Sequence, residues 1–359
     1  MNSTLSPEIL QTKQHFEILD GLRGIAAIAI VIFHFMEMVY EFKLNFIGHG
    51  FLAVDFFFCL SGFVIAYAYD DRIRKMGNIE FFKSRLIRLH PLVFLGSILG
   101  LLAFLFDPFG GHPELYSAGK IILIFLCSIF LIPFPVIGER SFNLFGLNAP
   151  AWSLFWEYIA NIVYAFVLYR ISRKYLIILI IISAIALCYV SYSAGNVLGG
   201  WGKDSFWDGG ARVSFSFMAG LLIYRSNWII KNNLGFAGIS VLLVLAFVMP
   251  YSEWNWVTEL VIVLIYFPLI VSLGAGSQLS QGLRKLCNFL GKISYPIYMT
   301  HYVVIWMFLN YYTVNKPGTS QLVMIVVTGT ILLLTFAYLI MTFYDLPVRK
   351  YLNNKRKTG

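Results

Sequence analysis

Across 359 residues, 59% are hydrophobic and only 13% are charged, with a mean hydropathy of +0.75. Soluble domains run nearer half apolar and a quarter charged, so the composition excludes them and indicates an all-α, polytopic membrane helical bundle. The net charge of +9 is dispersed between apolar runs rather than gathered on one face, which argues against nucleic acid and makes membrane lipid the ordinary partner.

Apolar segments lie near 18–39, 50–69, 90–106, 119–137, 151–170, 175–193, 211–229, 234–250, 254–274, 291–309 and 322–343. Basic residues decide how many of these cross, because cytoplasmic loops carry the excess of Lys and Arg. With the N-terminus inside and one crossing within 90–137, 21 of the 27 Lys and Arg fall inside and 6 outside. Letting both 90–106 and 119–137 cross inverts everything downstream and leaves 12 inside and 15 outside.

The sequence therefore predicts about ten transmembrane helices plus a re-entrant segment, with both termini cytoplasmic, in a bacterial inner or plasma membrane. Pro133 and Pro135 favour irregular backbone in 90–137, which is tolerated where protein or water satisfies it. Residues 1–17 read as a retained cytoplasmic tail, 18–344 as the transmembrane domain and 345–359 as a basic cytoplasmic tail. No long polar stretch separates the apolar segments, so no soluble catalytic domain is expected.

In the first segment, Arg23 and His34 sit eleven residues apart, about three helical turns, and so share a face. A cation and an imidazole inside one membrane helix cost free energy unless something needs them there. Segment two carries Asp55 about one turn below its outer end, with Ser61 and Gly62 deeper. A contact between Asp55 and His34 would fix the imidazole tautomer as a general base needs; a helix-packing hydrogen bond is the plainer alternative. The inner loop that follows is the most basic in the chain. Its Lys83, Arg85 and Arg88, if helical, could fork around phosphate oxygens or merely anchor the loop to lipid headgroups.

Segment five opens AWSLFWE and places Glu157 about two turns down from the outer face, with Trp152 and Trp156 suited to an aromatic belt. Outer-loop Trp201, Trp207, Trp254 and Trp256 could stack sugars or belong to the same belt. Near the C-terminus, GKISYPIYMTH sets Gly291, Ser294, Tyr295, Tyr298 and His301 at the cytoplasmic entry of a helix that Pro296 would begin. Asp345-Leu-Pro347 reads as a stop for the last helix. The four cysteines have no metal-ligand spacing and are expected to be packed in the core, so no metal is called for.

The polar groups thus form two layers, with Arg23, Lys83, Arg85 and Arg88 toward the cytoplasm and His34, Asp55 and Glu157 deeper or toward the outside. A phosphate-bearing donor at the inner layer could send a flexible arm to a base in the outer one. At this point the chain resembles the acyltransferase-3 family of integral membrane acyltransferases. The resemblance rests on LDGLRGIAAIAIVIFHF, VDFFFCLSGFVI, RLIRLHP, AWSLFWE and SYPIYMTH, which occur in the family's order and cover nearly the whole chain.

The resemblance implies ten membrane helices and O-acetylation of a cell-envelope polysaccharide or lipid-linked sugar from cytoplasmic acetyl-CoA. It implies that Arg23 and His34 are essential and that Arg85 and Arg88 serve the donor side. Asp345 stands where relatives commonly carry Glu. Some relatives also fuse an extracytoplasmic hydrolase-like domain; this chain is expected to acylate its acceptor directly or through a separate extracytoplasmic transferase partner.

The expected mechanism has His34 as general base, oriented by Asp55 or Glu157, and an oxyanion donor in Ser61, Tyr298 or a backbone amide. Lys83, Arg85, Arg88, Ser61, Tyr295, Tyr298 and His301 would line the donor site. The competing readings are a transporter or flippase of lipid-linked glycan and a non-catalytic envelope-assembly scaffold.

Overall fold

In a computed structural model the protein is described over residues 15–358; residues 1–14, most of the expected N-terminal tail, and Gly359 lie outside the described residues. The described chain is all-α, with only two isolated β-bridges. Its principal helices are α1 (Glu17–Glu37), α2 (Ala53–Tyr69), α3 (Asn78–Phe106), α4 (Ala118–Ile129), α5 (Ala151–Val163, prolonged by a π turn to Leu168), α6 (Arg173–Ala194), α7 (Phe206–Arg225), α8 (Gly235–Phe247), α9 (Asn255–Gly276, with a π turn at Ile262–Tyr266), α10 (Arg284–Asn315) and α11 (Thr319–Ile340).

Seven of these, α1, α2, α3, α5, α6, α9 and α11, are long and apolar enough to cross a membrane. The 20-residue α7 and 32-residue α10 have the length but not the hydropathy. They are interior helices. α10 packs chiefly on α1, and α7 on α2, so their polar residues meet protein rather than lipid. α6 and α11 form the outside of the bundle and present Ile181, Ile185, Val327 and Ile331 outward.

The piece of 90–137 that fails to span is its second half. α4 has 12 residues, about 18 Å, against the roughly 30 Å of a hydrocarbon core. The hydroxyls of Ser128 and Ser97 meet at 2.8 Å, tying the inner end of α4 to the middle of α3. The chain then returns without regular structure, and protein satisfies its backbone. The amide of Phe134 donates to the Leu144 carbonyl and that of Leu144 to the Trp201 carbonyl, both at 2.9 Å.

Two expectations from proline are corrected. Pro296 does not begin a helix; it lies well inside α10. The chain also does not stop at Asp345-Leu-Pro347. A π turn at Met341–Asp345 leads straight into a helix from Leu346 to Thr358. The π turn of α9 likewise directly precedes Pro268. In both places the wider turn takes up a proline ring that an α turn would crowd. Of the cysteines, Cys59, Cys127 and Cys287 are buried, whereas Cys188 is exposed on the outer helix α6.

The α2–α7 contact explains two small residues. A Cβ on Gly62 would lie 1.9 Å from the Phe217 carbonyl oxygen, and one on Gly220 the same distance from that of Cys59. Backbone cannot yield by that much without separating the helices. Gly62→Ala or Gly220→Ala is therefore expected to destabilise the fold by about 1–3 kcal/mol or more, read as a lower melting temperature in detergent. Gly119→Ala, with nothing within 4 Å of the added carbon, is the control that should melt as the parent does.

Candidate active site

At the end of the bundle where α1 begins, Arg23 is held rather than free. Its Nε donates to the Ser294 hydroxyl at 2.9 Å and its Nη2 to the Gly291 carbonyl at 2.7 Å, with Asp20 at 3.1 Å. The Gly291 and Ser294 of the GKISYP stretch thus dock Arg23 from α10. Tyr295 donates to the Leu89 carbonyl at 2.6 Å and joins α10 to α3.

Arg85 and Arg88 lie on α3, as the helical reading of the basic loop requires. Arg85 is buried and paired with Glu157 at 3.0 Å. The same carboxylate oxygen accepts from Ser61 at 2.5 Å and from the Asn161 amide at 3.2 Å. Glu157 is therefore not a partner of His34: it belongs with the arginines and neutralises one of them. Arg88 has no hydrogen bond or ion pair among the described residues, and it faces the same space as Arg23. Lys83 departs from the expected cluster. It is exposed, donates to Glu80 at 2.9 Å and is not among the residues lining the cavity that Arg23, Arg85 and Arg88 share.

These groups enclose a cavity of about 140 Å³ lined by Arg23, Ser61, Arg85, Arg88, Glu157 and Tyr295, with Val54 and Tyr298 also in its wall. An outer vestibule at the α1 start shares Arg23, Arg88 and Tyr295 with it and adds Asp20, Lys292 and Arg349. A third cavity, of about 280 Å³, opens toward the opposite end and holds His34, Glu37, Trp201, Arg212, Tyr302 and Trp306. It shares only Val54 and Tyr298 with the first.

His34 has a carboxylate partner, but from its own helix. Its Nδ1 meets Glu37, one turn on. A carboxylate accepts only, so Nδ1 carries the proton and Nε2 is left with its lone pair. His301 stacks on the His34 ring at 5.3 Å between centroids, and Tyr302 sets its edge to the same ring at 4.7 Å. His301 Nδ1 lies 2.8 Å from the Tyr298 carbonyl and 3.0 Å from that of Ile297, so it too is protonated on Nδ1. His301 is thus part of the His34 environment rather than of the arginine cavity.

The expected contact between Asp55 and His34 is replaced by another. Arg212 of α7 donates to both carboxylate oxygens of Asp55, at 2.6 and 3.1 Å, and both side chains are fully buried. Arg212 also donates to the carbonyls of Leu198 and Gly199, at 3.1 and 2.8 Å, and lies over the Trp152 ring. Asp55 is the counter-ion of a clamp under the third cavity. Of the outer tryptophans, Trp201 lines that cavity, whereas Trp207 and Trp254 are exposed and Trp256 meets Tyr192.

Sequence reasoning missed Glu37 and Arg212. Glu37 stands three residues after His34, a spacing that puts the two on neighbouring turns. Arg212 was signalled by the low hydropathy of WDGGARV: an arginine among apolar and small residues asks for a buried partner, and Asp55 was the unpaired acid.

The helical bundle thus carries arginines at one end, a tautomer-fixed imidazole toward the other, and cavities between them. The chain belongs to the acyltransferase 3 family, whose acyltransferase domain matches residues 16–342. It is 34% identical over 186 residues to protein 2 in the picA locus of Rhizobium radiobacter, covering 48% of this chain and 93% of that protein. It is 27% identical to O-acetyltransferase OatA of Staphylococcus aureus, over 96% of this chain and 58% of the relative. To the peptidoglycan O-acetyltransferase OatA of Listeria monocytogenes it is 23% identical, over 94% of this chain and 56% of the relative. The chain thus spans little more than half the length of the OatA proteins. No solved structure matches it.

Proposed function

We propose that this chain is a membrane O-acyltransferase that takes an acetyl group from cytoplasmic acetyl-CoA and places it on a hydroxyl of an envelope polysaccharide or lipid-linked sugar. The observation that carries the reading is the succession of three cavities from the unpaired Arg88 to His34, each sharing residues with the next. The positive-inside rule makes the arginine end cytoplasmic. The donor's phosphates are held there by Arg88 and Arg23, and its acyl arm extends past Ser61 and Tyr295 toward Tyr298. The acceptor enters the third cavity from outside, where Trp201 and Trp306 offer apolar faces to a sugar ring.

His34 Nε2 takes the proton of the acceptor hydroxyl as its oxygen attacks the thioester carbonyl. The tetrahedral intermediate accepts a hydrogen bond from Tyr298, whose hydroxyl now shares one with Ser153 at 2.7 Å. Collapse breaks the carbon–sulfur bond, and the thiolate leaves with the proton from the His34 imidazolium. Glu37 keeps Nδ1 protonated throughout. A separate extracytoplasmic transferase could finish delivery where the final glycan does not reach the third cavity.

Purified protein in lipid nanodiscs should release CoA thiol from acetyl-CoA only when envelope glycan is supplied, and that glycan should gain an O-acetyl signal by NMR. Transport of the glycan without consumption of acetyl-CoA would replace this reading by that of a flippase. The division of the basic residues gives a further expectation. Arg88→Ala removes a charge-assisted contact worth about 1.5–3 kcal/mol and should raise KM for acetyl-CoA about tenfold or more. Lys83→Ala, whose ammonium faces Glu80 at the surface, should leave KM unchanged.

A further inference from the structure

The donor and acceptor cavities adjoin at two shared residues, whose chemistry differs from that of the charged linings on either side. Val54 on α2 and Tyr298 on α10 are the two residues common to both linings. Tyr298 is buried and fixed twice, by its hydrogen bond to Ser153 on α5 and by the edge-to-face ring of Phe57 at 5.6 Å. Val54 is also buried. The charged groups nearest this partition are paired with each other: Arg85 with Glu157 on the donor side, and Arg212 with Asp55 on the acceptor side. An acyl group passing from one cavity to the other therefore meets an isopropyl group and a phenol ring, with no free charge to receive a carboxylate.

We infer that Val54 and Tyr298 form an acyl filter that selects a short, uncharged acyl group. The inference rests on the proposed acyl transfer and names which donors it admits. A buried β-branched side chain has one strongly preferred rotamer, so Val54 presents a fixed obstacle rather than a compliant one. Each additional methylene must displace packed atoms, and discrimination of about tenfold or more per methylene lies within what an apolar wall achieves. A succinyl group fails for a second reason: its carboxylate would have to shed water against Val54 and Phe57 with only the neutral hydroxyls of Tyr298 and Ser153, and no unpaired cation, to receive it.

The test uses inside-out membrane vesicles from cells making the full chain, which carry its natural acceptor and present the donor end to the medium. They are supplied with radiolabelled acetyl-, propionyl-, butyryl- or succinyl-CoA, and alkali-labile label in the envelope glycan is counted. The parent should transfer acetyl at least about tenfold faster than butyryl or succinyl. Val54→Ala should raise the butyryl-to-acetyl ratio about tenfold while the succinyl-to-acetyl ratio stays low, because the wall remains apolar. Val54→Leu should lower the ratio for propionyl-CoA. A packing defect alone would slow all donors together and leave the ratios fixed. Ratios unchanged in both variants, with acetyl still transferred, would overturn the filter and spare the acyltransferase reading. Label from no donor in the parent would remove both.

Discussion

Acyl transfer should fall by about 10²- to 10⁴-fold in His34→Ala, the span that a positioned general base contributes, with the protein still folded and in the membrane. The geometry makes a second, sharper demand. Glu37 is the group that holds the His34 tautomer, so Glu37→Gln should also cost activity although it preserves shape and hydrogen-bonding capacity. An amide donates as well as accepts. Where it donates to Nδ1, the ring proton moves to Nε2, and the atom that must act as base is blocked. The expected loss is at least about tenfold in kcat with KM for acetyl-CoA unchanged, since the donor binds at the far end of the cavity chain. Radiolabel transfer in membranes, normalised to monodisperse protein by size-exclusion chromatography, separates the cases. A Glu37→Gln variant at the parental rate would remove the pair from the mechanism, and a His34→Ala variant at the parental rate would remove the mechanism itself.

How much of this was legible in the sequence depended on the range of the interaction. The all-α membrane bundle followed from composition, because the bilayer imposes apolar segments along the chain. The faces of Arg23 and His34, and of Arg85 and Arg88, followed from helical spacing within one element. Pairings between helices were another matter. Asp55, Glu157 and His34 all appeared to need partners, and a sequence orders them by depth but not by rotation about the helix axis. Depth alone sent Asp55 and Glu157 to His34; packing sent them to Arg212 and Arg85. His301 was assigned to the donor side because its helix was taken to begin near Pro296, whereas α10 starts at Arg284 and carries His301 past the partition to the His34 ring. A proline read as a terminus therefore placed His301 in a cavity that it does not line.

The Asp55–Arg212 pair yields the largest expected effect on the fold itself. With both side chains fully buried, Asp55→Ala leaves the Arg212 guanidinium in the bundle without its anion, and breaking a buried pair in this way costs about 3–5 kcal/mol. Arg212→Met orphans Asp55 equally, and it also frees the Leu198 and Gly199 carbonyls that Arg212 holds. The Asp55→Ala/Arg212→Met double variant should be more stable than the sum of the single losses predicts, because neither charge is then left alone. It should remain less stable than the parent, because those two carbonyls still lack their donor. Melting of the four proteins in one detergent gives the coupling directly. Additive losses would show that the pair does not hold the helices together. A stable Asp55→Ala protein without activity would return Asp55 to the catalytic role that the sequence suggested, with Arg212 as its positioning partner. The expected order, with stability lost first and activity lost as its consequence, places Asp55 beneath the site as its support.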